Sequence, residues 1–235
     1  MAYILDILKE AILLLINFDK EIYEIIGLSL IVSVSSTLIS AIISIPLALI
    51  LALKNFYGKE LIMKVIYTAM SLPPVVVGLV CAIFISRRGP FGNLGLMFTP
   101  QAMIIAQVIL VAPIICGIVY SNSKNQVMEI KEICRTLGGN RRQILLLLIK
   151  ELHTIISVAL ISGFGRAISE VGAVMIVGGN IKGHTRVMTS FIAMNNNMGA
   201  YDKSLAMGLI LLLISFTINS LMYNYTMGAS LWKSK

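Results

Sequence analysis

In the apolar run ISGFGRAISEVGAVMIVGGN, residues 161–180, two charges stand four residues apart, Arg166 and Glu170. At helical pitch that spacing puts both side chains on one face, about 6 Å apart along the axis. A charge at the bilayer centre costs at least about 2.5–3.5 kcal/mol on insertion scales, so such residues pair, face the protein interior and mark pathways. Two readings stay open: an ion pair that fixes helix packing, or the lining or gate of a translocation path. If Arg166 keeps surplus positive character, the path favours anions. Ser169 and Gly172 fall in the same stretch, and Gly163, Gly165 and Gly172 allow neighbouring helices to come close. Pro73 and Pro74 form a second candidate inside an apolar run. Each removes a backbone donor, which membranes tolerate where the backbone lines a cavity and which transporters use near substrate sites. A simple kink fits equally well.

The segment EICRTLGGNRRQILLLLIKEL, residues 132–152, is polar and basic between apolar runs. Its first part predicts a short helix over 127–137, with Glu129, Lys131, Glu132 and Arg135 exposed and Ile130, Ile133 and Leu137 apolar. Gly138 and Gly139 stop that helix, because glycine takes the left-handed conformation at a helix C-terminus. Residues 140–142 turn the chain, and 144–149 begin a second helix. A rigid helix across a membrane surface can pass on a push from a soluble partner. An ordinary amphipathic loop helix has the same spacing.

Other chemistry is missing. The phosphate-cradling pattern G-x-x-x-x-G-K-[ST] does not occur, and the nearest approach, GGNIKGHT at 178–185, lacks its ending. There is no nucleophile–base–orienter set. Cys81, Cys116 and Cys134 have no metal-ligand spacing, and His153 and His184 flank one span at opposite surfaces. The chain is expected to be neither an enzyme nor a holder of metal or cofactor. If ATP drives it, another subunit hydrolyses the ATP.

The elements that position these residues follow from composition. The 235 residues are 57% hydrophobic and only 13% charged, against about 25% charge in soluble domains. The net charge of +8 is scattered between apolar runs, which suits anionic lipid headgroups rather than nucleic acid. Five segments are long enough to cross hydrocarbon: 25–53, 61–85, 101–120, 155–177 and 204–225. The first is rich in serine, and Pro46 and Pro113 suggest kinks. Residues 3–18 are apolar at helical spacing but carry Asp6, Lys9 and Glu10, which favours a helix lying in the interface over a sixth span or a cleaved signal peptide. Orientation follows from Lys and Arg. With the loops after spans one and three and the C-terminus inside, the cytoplasm receives Lys54, Lys59, Lys64, Lys124, Lys131, Arg135, Arg141, Arg142, Lys150, Lys233 and Lys235. Lys9, Lys20, Arg87, Arg88, Lys182, Arg186 and Lys203 remain outside. The expected fold class is all-α: a polytopic membrane protein of five transmembrane helices plus an N-terminal interfacial helix. Its parts are the interfacial helix, 1–23, one membrane domain, 24–227, with a cytoplasmic segment at 126–152, and a tail, 228–235.

Three stretches carry a family resemblance. E-x-x-R-T-L-G, from Glu132 to Gly138, resembles the EAA motif of ABC importer permeases, with Glu132, Ile133 and Cys134 in place of Glu-Ala-Ala and Gly138 at the motif's glycine. The motif's closing Leu-Pro is Lys150-Glu151 here. RAISEVGA is similar to R-A-x-G-E-F-G-A of sulfate and molybdate permeases. FGRAISEVGAVMIVGGNIKGHTRVMT and SLPPVVVGL look most like tungstate importer permeases. The resemblance covers about 28–225 and implies the type I permease fold in a prokaryotic cytoplasmic membrane. It implies a homodimer, two ATPase subunits docked through Glu132, Ile133, Cys134, Arg135, Leu137 and Gly138, and an extracytoplasmic binding protein near Lys182 and Arg186. The implied cargo is tungstate or, alternatively, molybdate or sulfate. Two other classes fit the residues alone: a secondary carrier with Arg166 and Glu170 as a coupled site, and a membrane anchor for a soluble enzyme.

Overall fold

The computed structural model describes residues 20–231 and is helical, with no strand among the described residues. The expected interfacial helix over 3–18 lies outside them. The helices are α1 (Lys20–Leu53), α2 (Lys59–Met70), α3 (Pro74–Ile85), α4 (Pro100–Thr136), α5 (Arg141–Glu151), α6 (His153–Ile168), α7 (Gly172–Gly178), α8 (Met188–Asn197) and α9 (Tyr201–Leu231), with a 3-10 turn at Gly92–Leu94. Among the described residues, α1, α4 and α9 are each long and apolar enough to cross a membrane. Two bent pairs, α2 with α3 and α5 with α6, bring the number of candidate spans to at most five.

The bends depart from simple spans for local reasons. The 61–85 segment is two helices meeting at 102°, not one kinked rod. Pro73 is extended (φ −64°, ψ 124°) and Pro74 opens α3. A residue preceding proline is pushed out of the helical region, while proline at the first helical position is favourable. The prolines expected to kink α1 and α4, Pro46 and Pro113, both lie inside continuous helices. The 155–177 segment is also not one helix: α6 ends at Ile168 and α7 starts at Gly172, and α6 itself leaves α5 at 67°.

Two compact units appear. One holds 20–36, 73–107 and 166–218 among the described residues. Here α3 and α7 touch backbone to backbone: a Cβ on Gly78 would sit 2.7 Å from the Ala173 Cα, and one on Gly172 would sit 2.8 Å from the Val75 Cγ2. The Phe98 N–H donates to the Val177 carbonyl (2.9 Å). The Ser29 hydroxyl accepts the Met188 N–H (2.8 Å) and donates to the Ile25 carbonyl (2.7 Å), which ties the start of α8 to α1.

The other unit holds 37–72, 108–165 and the chain from 219 on. Within it the Ser44 hydroxyl donates to the Ala112 carbonyl (2.8 Å) and Lys131 Nζ to the Leu53 carbonyl (3.5 Å). Both numbers rise together, so α1 and α4 run parallel there, as the first and third of alternating spans must. Gly163 admits Ile115 and Val111 of α4, with the Ile115 Cδ1 3.0 Å from where a Cβ would lie.

Helix α1 is inverted relative to a helix of a soluble protein. Ser29, Ser33, Ser36, Ser40 and Ser44 are buried, while Ile31, Leu38, Ile42 and Ile43 are exposed. In lipid, apolar side chains gain nothing by turning inward, and small or hydrogen-bonding groups make the helix contacts.

The α3–α7 contact gives a stability test. Gly78→Leu should cost about 1–3 kcal/mol or more by overpacking and lower the thermal midpoint in detergent. Gly208→Ala, whose Cβ meets nothing within 4 Å, should leave it unchanged or raise it slightly, since alanine is the better helix former. Equal effects would contradict the packing described.

Candidate functional site

The interruption between α6 and α7 leaves backbone groups to satisfy within a membrane. The Ala167 carbonyl near the end of α6 accepts from the Gln107 side chain (Nε2, 3.0 Å), and Gln107 Oε1 accepts from the Ser36 hydroxyl (2.8 Å). The Glu170 carbonyl accepts from the Thr189 hydroxyl (2.8 Å). The chain around the break is thus held by side chains from α4 and α8, and Ser36 of α1 in turn holds Gln107.

Arg166 and Glu170 bridge this interruption. Arg166 Nη2 lies 3.4 Å from Glu170 Oε2, with side chains 39% and 5% exposed respectively. Arg166 sits in the last turn of α6, where the carbonyl end of a helix favours a cation, and Glu170 sits at the amide end of α7, where it favours an anion. Glu170 Oε1 also accepts the Ala173 N–H (3.4 Å). The two members differ in access. Glu170 points inward, beside a pocket lined by Ser29, Ser33, Gln107 and Thr189 that has room for about one water. Arg166 is half-open, on the same side of α6 as the exposed Ser162 and Ser169, while a Cβ on Gly165 would meet nothing within 4 Å.

The candidates Arg166, Ser169, Glu170 and Gly172 therefore come together at one helix break. Pro73 and Pro74 join them, because Val75, the residue after Pro74, packs against Gly172. The amide ends of α3 and α7 meet there. Sequence reasoning missed Gln107, Ser36 and Thr189. Gln107 had a legible signal, a single amide inside the apolar run AMIIAQVILVAP, since a polar side chain at that depth needs a partner.

The 127–137 segment is not a separate short helix. It is the end of α4, which runs unbroken to Thr136. Residues 121–126, SNSKNQ, are polar but contain no glycine or proline to stop a helix. The stop comes at Gly138, with φ +77°. The Gly139 N–H donates to the Cys134 carbonyl (2.8 Å) and the Gly138 N–H to the Arg135 carbonyl (3.0 Å), the paired bonds of a Schellman motif. Gly139 lies so close to the Cys134 Sγ that a Cβ would collide with it. Asn140 then caps α5: its Oδ1 accepts the Gln143 N–H (3.0 Å), and Gln143 Oε1 accepts the Asn140 N–H (2.7 Å). The result is a tight, fully bonded corner. Ile133 and Leu137, 52% and 82% exposed, project from it; Glu132 and Arg135 are exposed and Cys134 is buried.

Lys182 and Arg186 form a third group. Glu21 of α1 bridges both, 2.6 Å from Lys182 Nζ and 3.2 Å from Arg186 Nη1. Arg186 is largely buried and Lys182 mostly exposed, so only Lys182 is open to a partner. Helix α8 begins just beyond them, at Met188. Among the described residues, no group of three or more His, Cys, Asp or Glu could hold a metal ion.

Residues 44–226 match the family of binding-protein-dependent transport system inner membrane components. The chain is 52% identical to the tungstate uptake system permease protein TupB of Peptoclostridium acidaminophilum, over 95% of this chain and 98% of that one. It is 38% identical to a probable anion ABC transporter permease of Haloferax volcanii, over 84% and 88% of the two chains. It is 34% identical to TupB of Campylobacter jejuni, over 92% and 91%. More distant relatives are named molybdenum and sulfate transport permeases.

The unequal access of Arg166 and Glu170 predicts unequal effects. Arg166→Gln strands a buried carboxylate and should cost up to about 3 kcal/mol, at the low end for breaking a buried pair because Arg166 is partly solvated. Glu170→Gln keeps an acceptor for the Ala173 N–H and leaves an arginine that can reach water, so about 1 kcal/mol is expected. Thermal unfolding of the two variants in detergent checks the order, and the reverse order would refute the inward placement of Glu170.

Proposed function

The chain belongs to the family of binding-protein-dependent transport system inner membrane components, and on that premise we propose that it is the permease of an ATP-driven tungstate importer. As a multi-pass membrane permease it supplies a path rather than an enzyme active site. In this reading two copies form one pathway and two ATPase subunits dock beneath it. An extracytoplasmic binding protein delivers the oxyanion near Lys182. Tungstate is favoured over molybdate or sulfate by the names of the two relatives that match nearly end to end.

The observation that carries the docking role is the corner at the end of α4. A soluble motor needs a stiff element with a side chain to grip. Here a 37-residue helix ends in a bonded cap and presents Ile133 and Leu137 to water. Glu132, Arg135 and Gly138 complete the proposed socket contact, and Cys134 acts from behind by packing on Gly139. The same helix carries Gln107, whose amide holds the end of α6. Displacement of α4 would therefore bear on the α6–α7 break, where Arg166 and Ser169 are the proposed path or gate and Glu170, Gly172, Pro73 and Pro74 hold it in place. Arg166, the half-exposed member of the pair, supplies the positive charge that a dianion would meet there.

Co-purification from native membranes tests the proposal. The wild-type chain should bring down a stoichiometric ATPase, and Ile133→Asp/Leu137→Asp should lose it while still eluting as a single species on gel filtration. Arg166→Ala should keep the ATPase but lower tungstate uptake at least about tenfold, the loss expected when a group worth roughly 1.4 kcal/mol or more to the moving anion is removed. Uptake by the wild-type chain with no ATPase present would instead establish a gradient-driven carrier.

A further inference from the structure

Behind the α4 corner lies a half-open groove of about 600 Å³. Its walls divide by chemistry. Lys54, Lys131, Arg135 and Arg141 supply four cationic groups, while Ile50, Leu53, Ile144 and Leu145 supply an apolar side. No carboxylate lines it, and among the described residues none of the four cations takes part in a salt bridge. Four unneutralised charges around one groove repel each other unless an anion lies between them.

The groove is a different face from the docking edge. At 3.6 residues per turn, Ile133 and Leu137 lie about 200° round the helix from Lys131 and Arg135. The apolar edge points to water while the basic edge turns back toward the end of α1, where Lys131 reaches the Leu53 carbonyl. Arg135 therefore lines the groove, whatever it contributes to docking.

We propose that this groove holds the headgroup of an anionic phospholipid, its phosphate between the four cations and the start of its acyl chains along Ile50, Leu53, Ile144 and Leu145. Charge complementarity selects an anion. The apolar wall, continuous with the ends of membrane-crossing α1 and of α5, selects one that carries hydrocarbon. Each Lys or Arg near an anionic leaflet adds to the attraction for its headgroups. The bound lipid would neutralise the inner side of the corner and hold the end of α4 against the end of α1.

The test counts lipids. The assembly is purified from native membranes in mild detergent, phosphatidylglycerol or phosphatidylcholine is titrated in, and bound lipid is read by native mass spectrometry. One phosphatidylglycerol per copy of the chain should be retained, preferred at least about tenfold over phosphatidylcholine. Lys54→Gln/Lys131→Gln/Arg141→Gln should abolish the preference, and Lys54→Arg/Lys131→Arg should keep it. Equal retention of the two lipids by the wild-type chain overturns the proposal even if the triple variant does not fold. An unchanged preference in a folded triple variant overturns it too. Displacement of phosphatidylglycerol by millimolar inorganic phosphate or tungstate would mark a free-anion site and overturn the lipid assignment. ATPase co-purification reports separately on the docking edge, so failure of one reading leaves the other standing.

Discussion

Hydrocarbon offers no hydrogen bonds, so every backbone group freed by a broken membrane helix must find a partner inside the protein. That constraint organises the unit around the α6–α7 break. Ending α6 at Ile168 frees carbonyls, and the side chains of Gln107 and Thr189 turn inward to meet two of this stretch. Gln107 has a second polar end, and Ser36 takes it. The serines of α1 are then not incidental small residues. Ser36 completes a chain of bonds that reaches the break, and Ser29 does the same for the first turn of α8.

The charged pair belongs to the same economy of partners. An arginine and a glutamate on a continuous helix would simply lie side by side on one face. Across a break, each also meets the helix end of opposite partial charge, so the pair links the two helix ends. The two members share this role unequally: Glu170 is buried in the packing while Arg166 keeps an open side.

Much of the plan was legible because it rests on length and periodicity. The long apolar runs of α1, α4 and α9, the glycine stop at Gly138, and the proximity of Arg166 to Glu170 all follow from local rules. The failures share a cause. A polar stretch such as 121–126 reads as a loop on composition, yet polarity alone does not end a helix, and no glycine or proline occurs between residue 121 and Gly138. The break after Ile168 was invisible because the apolar pattern carries straight through it, and what sustains the break is supplied by residues distant in sequence. Gln107 and Thr189 could be suspected as polar residues in or beside apolar segments, but not matched to their carbonyls. That Glu21, from the start of α1, pairs with both Lys182 and Arg186 was not legible either, since nothing local links residues so far apart in sequence.

The corner after α4 shows why glycine appears twice. Gly138 is there for its backbone angle, positive and costly for any side chain. Gly139 is there for space, because the capping bond to the Cys134 carbonyl draws it against the thiol of that residue. Cys134 is buried on the inner side of this cap, against Gly139. Its small side chain lets the cap close, and the closed cap fixes Ile133 and Leu137 on one edge and Lys131 and Arg135 on the other. A larger residue at 134 would press on Gly139, open the corner and free both edges at once. The small residue at this position is thus a requirement of the cap itself.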